Sequence, residues 1–84
     1  MTAVPVRVPD LGTDAGIRLV AWLVDEGEPV MEGDRIAELL ITGLVVHVPA
    51  GGTGRMGPHR VPVGAAIAYG DEIGSIILDE PQAI

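Results

Sequence analysis

"VDEGEPVMEGDRIAEL" at residues 24–39 aligns without a gap with "VPVGAAIAYGDEIGSI" at residues 61–76. Valines, glycines, Gly-Asp dipeptides and aliphatic residues fall in register between the two segments. The stretch "VRVP" at 6–9 likewise resembles "VHVP" at 46–49. Each half of the chain therefore has the same strand–turn–strand plan. Stacking two such halves face to face would close a single apolar core.

The spacing of glycine and proline favours short strands over helices. The chain contains 12 Gly and 7 Pro, and no stretch between them keeps an apolar stripe at helical period for long enough to form a helix. The first strand contains prolines, which indicates an edge position. We expect one domain over residues 1–78 and a tail or the start of a linker at 79–84. The predicted strands are 4–9, 17–24, 35–41, 44–49, 54–61 and 73–78, with short bridges around Val30 and Ile67.

Composition excludes several classes of function. The net charge is -7 and the basic residues are five scattered arginines, which argues against binding to nucleic acid or to an anionic membrane surface. No apolar run reaches membrane-spanning length and no signal segment is evident, so we expect a cytoplasmic location. The absence of Cys excludes disulfides and thiolate metal sites.

Motifs that could carry catalysis or metal binding have simpler interpretations. "GGTGRMG" at 51–57 contains Gly-x-Gly-x-x-Gly, but Pro58 follows and no helix begins there, as a dinucleotide site would need. We predict that these glycines let the chain bend. His47 and His59 have no ligand spacing, so we predict two surface histidines and no metal site. Thr13, Thr42, Thr53 and Ser75 have no plausible set of a base and an orienting group around them, and we predict no catalytic residue and no enzyme activity.

Four segments together resemble the lipoyl/biotinyl attachment domain family. They are "VRVPDLG", "VAWLVDEGEPVMEGDRIAEL", "VVHVPA" and "VPVGAAIAYGDEIGSI", within residues 4–78. The nearest type is the lipoyl domain of 2-oxoacid dehydrogenase acyltransferases. The resemblance implies an all-β, flattened β-barrel or barrel-sandwich hybrid. Its two four-stranded antiparallel sheets would be related by a pseudo-twofold axis, which is what the internal repeat would encode.

The resemblance also implies a lysine at the exposed tip of a central hairpin, where its amine forms an amide with lipoate or biotin. In "AELLITGLVVHVPA" (37–50) Gly43 stands at that position, flanked by Thr42 and Leu44, and the sequence contains no lysine. We therefore expect neither lipoate nor biotin to be attached. Thr42 and Gly43 are predicted to form a two-residue hairpin turn, because glycine adopts positive φ without steric cost.

The residues around the turn are candidates for binding a partner. About half of the aliphatic side chains flanking a hairpin turn must face outward, and clustered exposed aliphatics often mark a contact surface; packing beneath the end of the barrel is the alternative. The resemblance implies that the first loop, "LGTDAG" (11–16), lies beside the hairpin and helps recognition, although Asp14 could simply form an Asx turn. The candidates are Leu40, Ile41, Thr42, Gly43, Leu44 and Asp14.

Two functions are consistent with these features. The first is a non-catalytic binding or assembly module that contacts protein components of a 2-oxoacid dehydrogenase or carboxylase. The alternative is a lipoyl or biotinyl carrier domain of an acyltransferase or carboxylase whose cofactor attachment has been lost. The chain would at most be a domain of a multienzyme complex.

Overall fold

The computed structural model describes residues 2–12 and 15–79, which form eight β-strands and no helix. Two four-stranded antiparallel sheets have the orders β1-β8-β6-β3 and β5-β4-β2-β7. The predicted all-β sandwich is thus confirmed. Each sheet takes two strands from residues 3–41 and two from residues 44–78, so the prediction that each half of the chain forms one layer and stacks on the other was wrong. No helix in this part of the chain has the length and apolarity to cross a membrane. The strands are β1 (Ala3–Arg7), β2 (Ile17–Trp22), β3 (Pro29–Val30), β4 (Arg35–Ile41), β5 (Leu44–Pro49), β6 (Gly54–Met56), β7 (Ala66–Ile67) and β8 (Glu72–Leu78).

The two Gly-Asp turns of the repeat have the same geometry. Asp34 accepts a hydrogen bond at its carboxylate from the N–H of Met31 at 2.8 Å, and Asp71 accepts one from Ala68 at 2.9 Å. The glycine before each aspartate has a φ of +92° or +86°. A carboxylate that binds its own turn and a glycine in the left-handed region explain why this dipeptide recurs before each long strand.

Two equivalent arginines also form hydrogen bonds between the two halves of the chain. Arg18 on β2 donates to the carbonyl oxygen of Gly64 at 2.6 Å, and Arg55 on β6 donates to that of Gly27 at 3.0 Å. The offset that relates Arg18 to Arg55 also relates Gly27 to Gly64. These reciprocal contacts show that the internal repeat corresponds to a pseudo-twofold axis.

The core lies between the sheets and is aliphatic. Ile36 and Ile73 are repeat partners, and each lies at a β-bulge where it has no paired residue on β5 or β1, respectively. Both side chains are fully buried. A bulge turns the strand locally and increases its twist, which brings these side chains into the core. The other buried apolar residues are Val6, Val8, Ile17, Leu19, Val30, Ala37, Leu39, Ile41, Val48, Ala50, Met56, Ile67 and Ile76.

One predicted alignment was wrong by two residues. Val6 pairs with Gly74 and Val48 pairs with Ala37. Because Gly74 and Ala37 are repeat partners, Val6 corresponds to Val48 and not to Val46. A period-two pattern of valines matches itself after a shift of two residues, so it cannot fix this register.

Three strands end earlier than predicted. The strand predicted at 54–61 ends at Met56, because Pro58 has no N–H to continue a ladder. Those predicted at 4–9 and 17–24 end at Arg7 and Trp22. The edge position of β1 is confirmed. The predicted tail includes residues 80–84, which lie outside the described part of the chain.

Candidate functional site

The tip of the central hairpin consists of Thr42 and Gly43, both exposed between β4 and β5. Their φ angles are +47° and +77°, so that both central residues of the turn have positive φ, as in a type I′ turn. Thr42 is the one non-glycine residue with positive φ in the described chain. The predicted two-residue turn is present, and its first position carries a β-branched residue that disfavours this conformation.

The aliphatic residues beside the turn divide between core and surface. Leu44 and Val45 are 63% and 47% exposed, whereas Leu40 is half-buried. Ile41 is only 7% exposed and packs in the core, so it does not belong to a partner-binding surface. The reason is its strand: Ile41 pairs with Ile17 of β2, while Leu44 lies on an edge strand. We call Leu40, Thr42, Gly43, Leu44 and Val45 the tip surface.

A cleft of about 320 Å³ lies near the same end of the molecule. Its walls include Leu11, Ile17, Ile67 and Tyr69, from the first loop, β2, β7 and the turn after β7. The pairing of Ile17 with the strand that leads into the tip places the cleft beside the hairpin. Asp14, the candidate in the first loop, lies outside the described residues.

The glycine-rich motif is explained by close packing. Gly52, Gly54 and Gly57 are all buried. A Cβ at Gly54 would overlap the carbonyl group of Ile77, and one at Gly57 would lie 2.9 Å from the backbone oxygen of Ser75. These glycines therefore let the chain approach β8 closely. The predicted role in bending the chain stays a prediction.

The pseudo-twofold axis passes beside an aromatic pair that the sequence patterns did not predict. Trp22 and His59 stack with ring centroids 4.1 Å apart and an interplanar angle of 4°. The indole N–H of Trp22 donates to the oxygen of Val61 at 3.1 Å, and Nε2 of His59 donates to that of Val24 at 2.9 Å. His59 is therefore a half-buried structural residue and not an ordinary surface histidine.

His47 is exposed on β5, with Nε2 at 3.5 Å from Oε1 of Glu38 on β4. No group of three or more acidic, histidine or cysteine side chains capable of holding a metal ion occurs among residues 2–12 and 15–79. The only side-chain functional group at the tip itself is the hydroxyl of Thr42. The tip therefore presents an exposed turn with apolar flanking side chains, and it has no nucleophile paired with a base.

Residues 4–76 match the profile of the biotin/lipoyl family, described as "Biotin-requiring enzyme". The chain belongs to this family. The fold of this biotin/lipoyl domain is similar to the solution structure of the lipoyl domain of the 2-oxoglutarate dehydrogenase complex from Azotobacter vinelandii. That match has a TM-score of 0.72 and 19% identity, and it covers 88% of this chain and 95% of the other. No curated protein matches the chain.

The family's cofactors do not fit the residues at the tip. An amide with lipoate or biotin needs a side-chain amine, and this biotin/lipoyl domain contains no lysine. Position 43 has room for a lysine side chain, since a Cβ built on Gly43 has no atom within 4 Å. The tip therefore has space for an attachment residue, and it lacks the side-chain amine that such a residue would supply.

Substituting Thr42 with asparagine is expected to raise the free energy of unfolding by about 1 kcal/mol, because asparagine tolerates the left-handed region and Asn-Gly is the preferred type I′ pair. Urea-induced unfolding measures the change. Thr42→Val retains β-branching and is the matched control, for which no stabilisation is expected. Equal stability of the asparagine variant and the parent would contradict the backbone strain assigned to Thr42.

Proposed function

We propose that the domain is a non-catalytic binding module that contacts a protein partner through the tip surface. The observation that supports this is an exposed hairpin tip with apolar flanks at the family's attachment position, in a chain that has no side-chain amine to acylate. Leu44 and Val45 are both exposed, and an exposed aliphatic side chain gains free energy when a partner covers it. The proposed partners are protein components of a 2-oxoacid dehydrogenase or carboxylase.

The proposal includes the absence of covalent lipoate and biotin. Its test is the intact mass of the whole chain after co-expression with a lipoyl ligase or with a biotin ligase, each supplied with its cofactor. The expected mass is that of the unmodified polypeptide in both cases. An added lipoyl or biotinyl mass would show that the domain is a working carrier and would overturn the proposal.

Substituting Leu44 with aspartate is expected to weaken partner binding by about 10- to 100-fold, which corresponds to losing the burial of one leucine side chain. Binding is measured by isothermal titration of the purified chain with purified dehydrogenase and carboxylase components. Leu23→Asp is the matched control, because Leu23 is 43% exposed and follows β2 at the end away from Ile17. The control variant should bind as the parent does.

Two results would contradict the tip as the binding surface. One is an equal loss of affinity in the Leu44 and Leu23 variants, which would indicate a general effect of added negative charge. The other is parent-like affinity of Leu44→Asp. Failure of the parent chain to bind any component would reject the proposed class of partner.

A further inference from the structure

The pseudo-twofold axis identifies the counterpart of the first loop in the second half of the chain. Gly33 donates to the oxygen of Ala50 at 2.9 Å. Its repeat partner, Gly70, donates to the oxygen of Val8 at the same distance, so Val8 and Ala50 are equivalent. The first residues of β2 and β6 are also equivalent, because they pair with repeat partners on β7 and β3. The first loop therefore corresponds to the glycine-rich connection between Ala50 and β6.

The first loop is the longer of these two connections, and the cleft lies against it. Eight residues connect Val8 to β2, whereas three connect Ala50 to β6. In the short connection, the hydroxyl of Thr53 accepts a hydrogen bond from the N–H of Glu32 at 3.0 Å. In the long one, the residue equivalent to Thr53 is Gly16, which lines the cleft and has no side chain. The cleft therefore lies where the other half of the chain places a threonine side chain.

Tyr69 supplies the N–H group that corresponds to the one bound by Thr53. It is the repeat partner of Glu32, and it lines the cleft. Its N–H has no hydrogen-bond partner in the part of the chain that the structure describes. A molecule that enters the cleft therefore meets an available backbone donor. The bond between Thr53 and Glu32 shows that an oxygen acceptor suits this position of the fold.

The rest of the cleft adds apolar surface and one carboxylate. Ile17 and Ile67 pair with each other across β2 and β7, and with Leu11 they form apolar walls. Asp10 also lines the cleft, and its Oδ1 accepts from the N–H of Gly12 at 2.9 Å. Its Oδ2 has no partner among the described residues and can accept from a ligand. Apolar walls with a few polar groups are typical of small-molecule sites, and about 320 Å³ lies at the lower end of their range.

We propose that the cleft binds a small molecule that carries a carboxamide on a short aliphatic body. The amide oxygen accepts from the N–H of Tyr69, and the amide nitrogen donates to the carboxylate of Asp10. The aliphatic body lies against the two isoleucines of the walls. A carboxylic acid of the same shape is disfavoured, because its anion would lie beside Asp10 in a chain with a net charge of -7. No residue of the cleft belongs to the tip surface, so the proposal goes beyond the proposed function and does not depend on it.

Titration of the isotope-labelled whole chain with hexanamide, followed by its amide chemical shifts, tests the proposal at neutral pH. A saturable shift is expected at the N–H of Tyr69. None is expected at that of Glu32, where Thr53 already occupies the equivalent donor. Sodium hexanoate has the same chain length and is the matched probe. It should bind about tenfold or more weakly, because it cannot donate to Asp10 and is repelled by it.

Two variants examine the polar contacts separately. Gly16→Thr copies the second half of the chain and should abolish hexanamide binding, because its hydroxyl takes the N–H of Tyr69. A Cβ at Gly16 meets no atom within 4 Å and its φ is not positive, so we expect this variant to fold. Gly16→Ala adds the same Cβ without the hydroxyl and should keep most of the affinity. Asp10→Asn removes the repelling charge and should reduce the preference for hexanamide over hexanoate about tenfold.

Three results would overturn the proposal. The first is the absence of a saturable shift at Tyr69 with hexanamide, and the second is equal affinity of the parent for hexanamide and hexanoate. The third is parent-like binding by a folded Gly16→Thr variant, which would place the ligand outside the cleft. If that variant does not fold, Asp10→Asn decides, since an unchanged preference between the two probes would reject the contact with the carboxylate.

Discussion

A Gly43→Lys variant is expected to acquire one lipoyl or biotinyl group when it is co-expressed with the corresponding ligase, whereas the parent acquires none. The tip is exposed and has open space at this position, so a lysine side chain would extend into solvent where a ligase can reach it. The positive φ of +77° at this residue costs a lysine about 1–2 kcal/mol, which a folded domain of this size can tolerate. Intact-mass spectrometry measures the modification.

Two variants control this experiment. Gly43→Arg introduces a long cationic side chain with no amine that can be acylated, and it should remain unmodified. Leu44→Lys moves the amine by one residue onto β5 and should be modified less than Gly43→Lys. A folded Gly43→Lys variant that stays unmodified with both ligases would contradict the equivalence of Gly43 to the attachment lysine.

Replacing Gly54 with alanine is expected to cost about 3 kcal/mol or more of the free energy of unfolding, because overpacking against backbone cannot be relieved by a side-chain rotation. Gly54 pairs with Leu78 of β8 on one side and with Val30 of β3 on the other. An added Cβ would overlap the carbonyl group of Ile77 and force β6 away from β8. We expect loss of cooperative unfolding or a much lower urea midpoint.

Gly51→Ala is the matched control for this loss. Gly51 belongs to the same glycine-rich segment and is exposed, and an added methyl group there would have nothing within 4 Å. The control should change the free energy of unfolding by no more than about 0.5 kcal/mol. If the two substitutions were equally tolerated, the close approach of β6 to β8 would be refuted.

The sequence predicted the architecture because its signals were local and repeated. The Gly-Asp turns, the Thr42-Gly43 turn and the period-two valines each act within a few residues, and the second half of the chain repeats the pattern of the first. The alignment of β1 with β5 in the repeat was mispredicted, because the equivalent residues are fixed by how each strand pairs with its own neighbour, β8 or β4. The strand predicted at 54–61 ends at Met56 because Pro58 has no N–H to continue the ladder, which a propensity pattern does not encode.

Prediction of the site was less complete, because burial at the tip depends on contacts between strands that are distant in sequence. Ile41 and Leu44 are both aliphatic and both flank the turn, and only the neighbouring strand decides that Ile41 is buried. The stacking of Trp22 on His59 joins the two halves across the fold. A signal for it was present, since the offset that aligns Val24 with Val61 also aligns Trp22 with His59.

That stacked pair gives the molecule an intrinsic optical label. The single tryptophan of the chain comes from one half, and the ring against its face comes from the other. Its emission therefore depends on the junction between the halves and not on either half alone. A ligand or partner that shifts one half of the chain relative to the other would change the fluorescence, and no dye would have to be attached to a protein that lacks both thiols and lysine side chains.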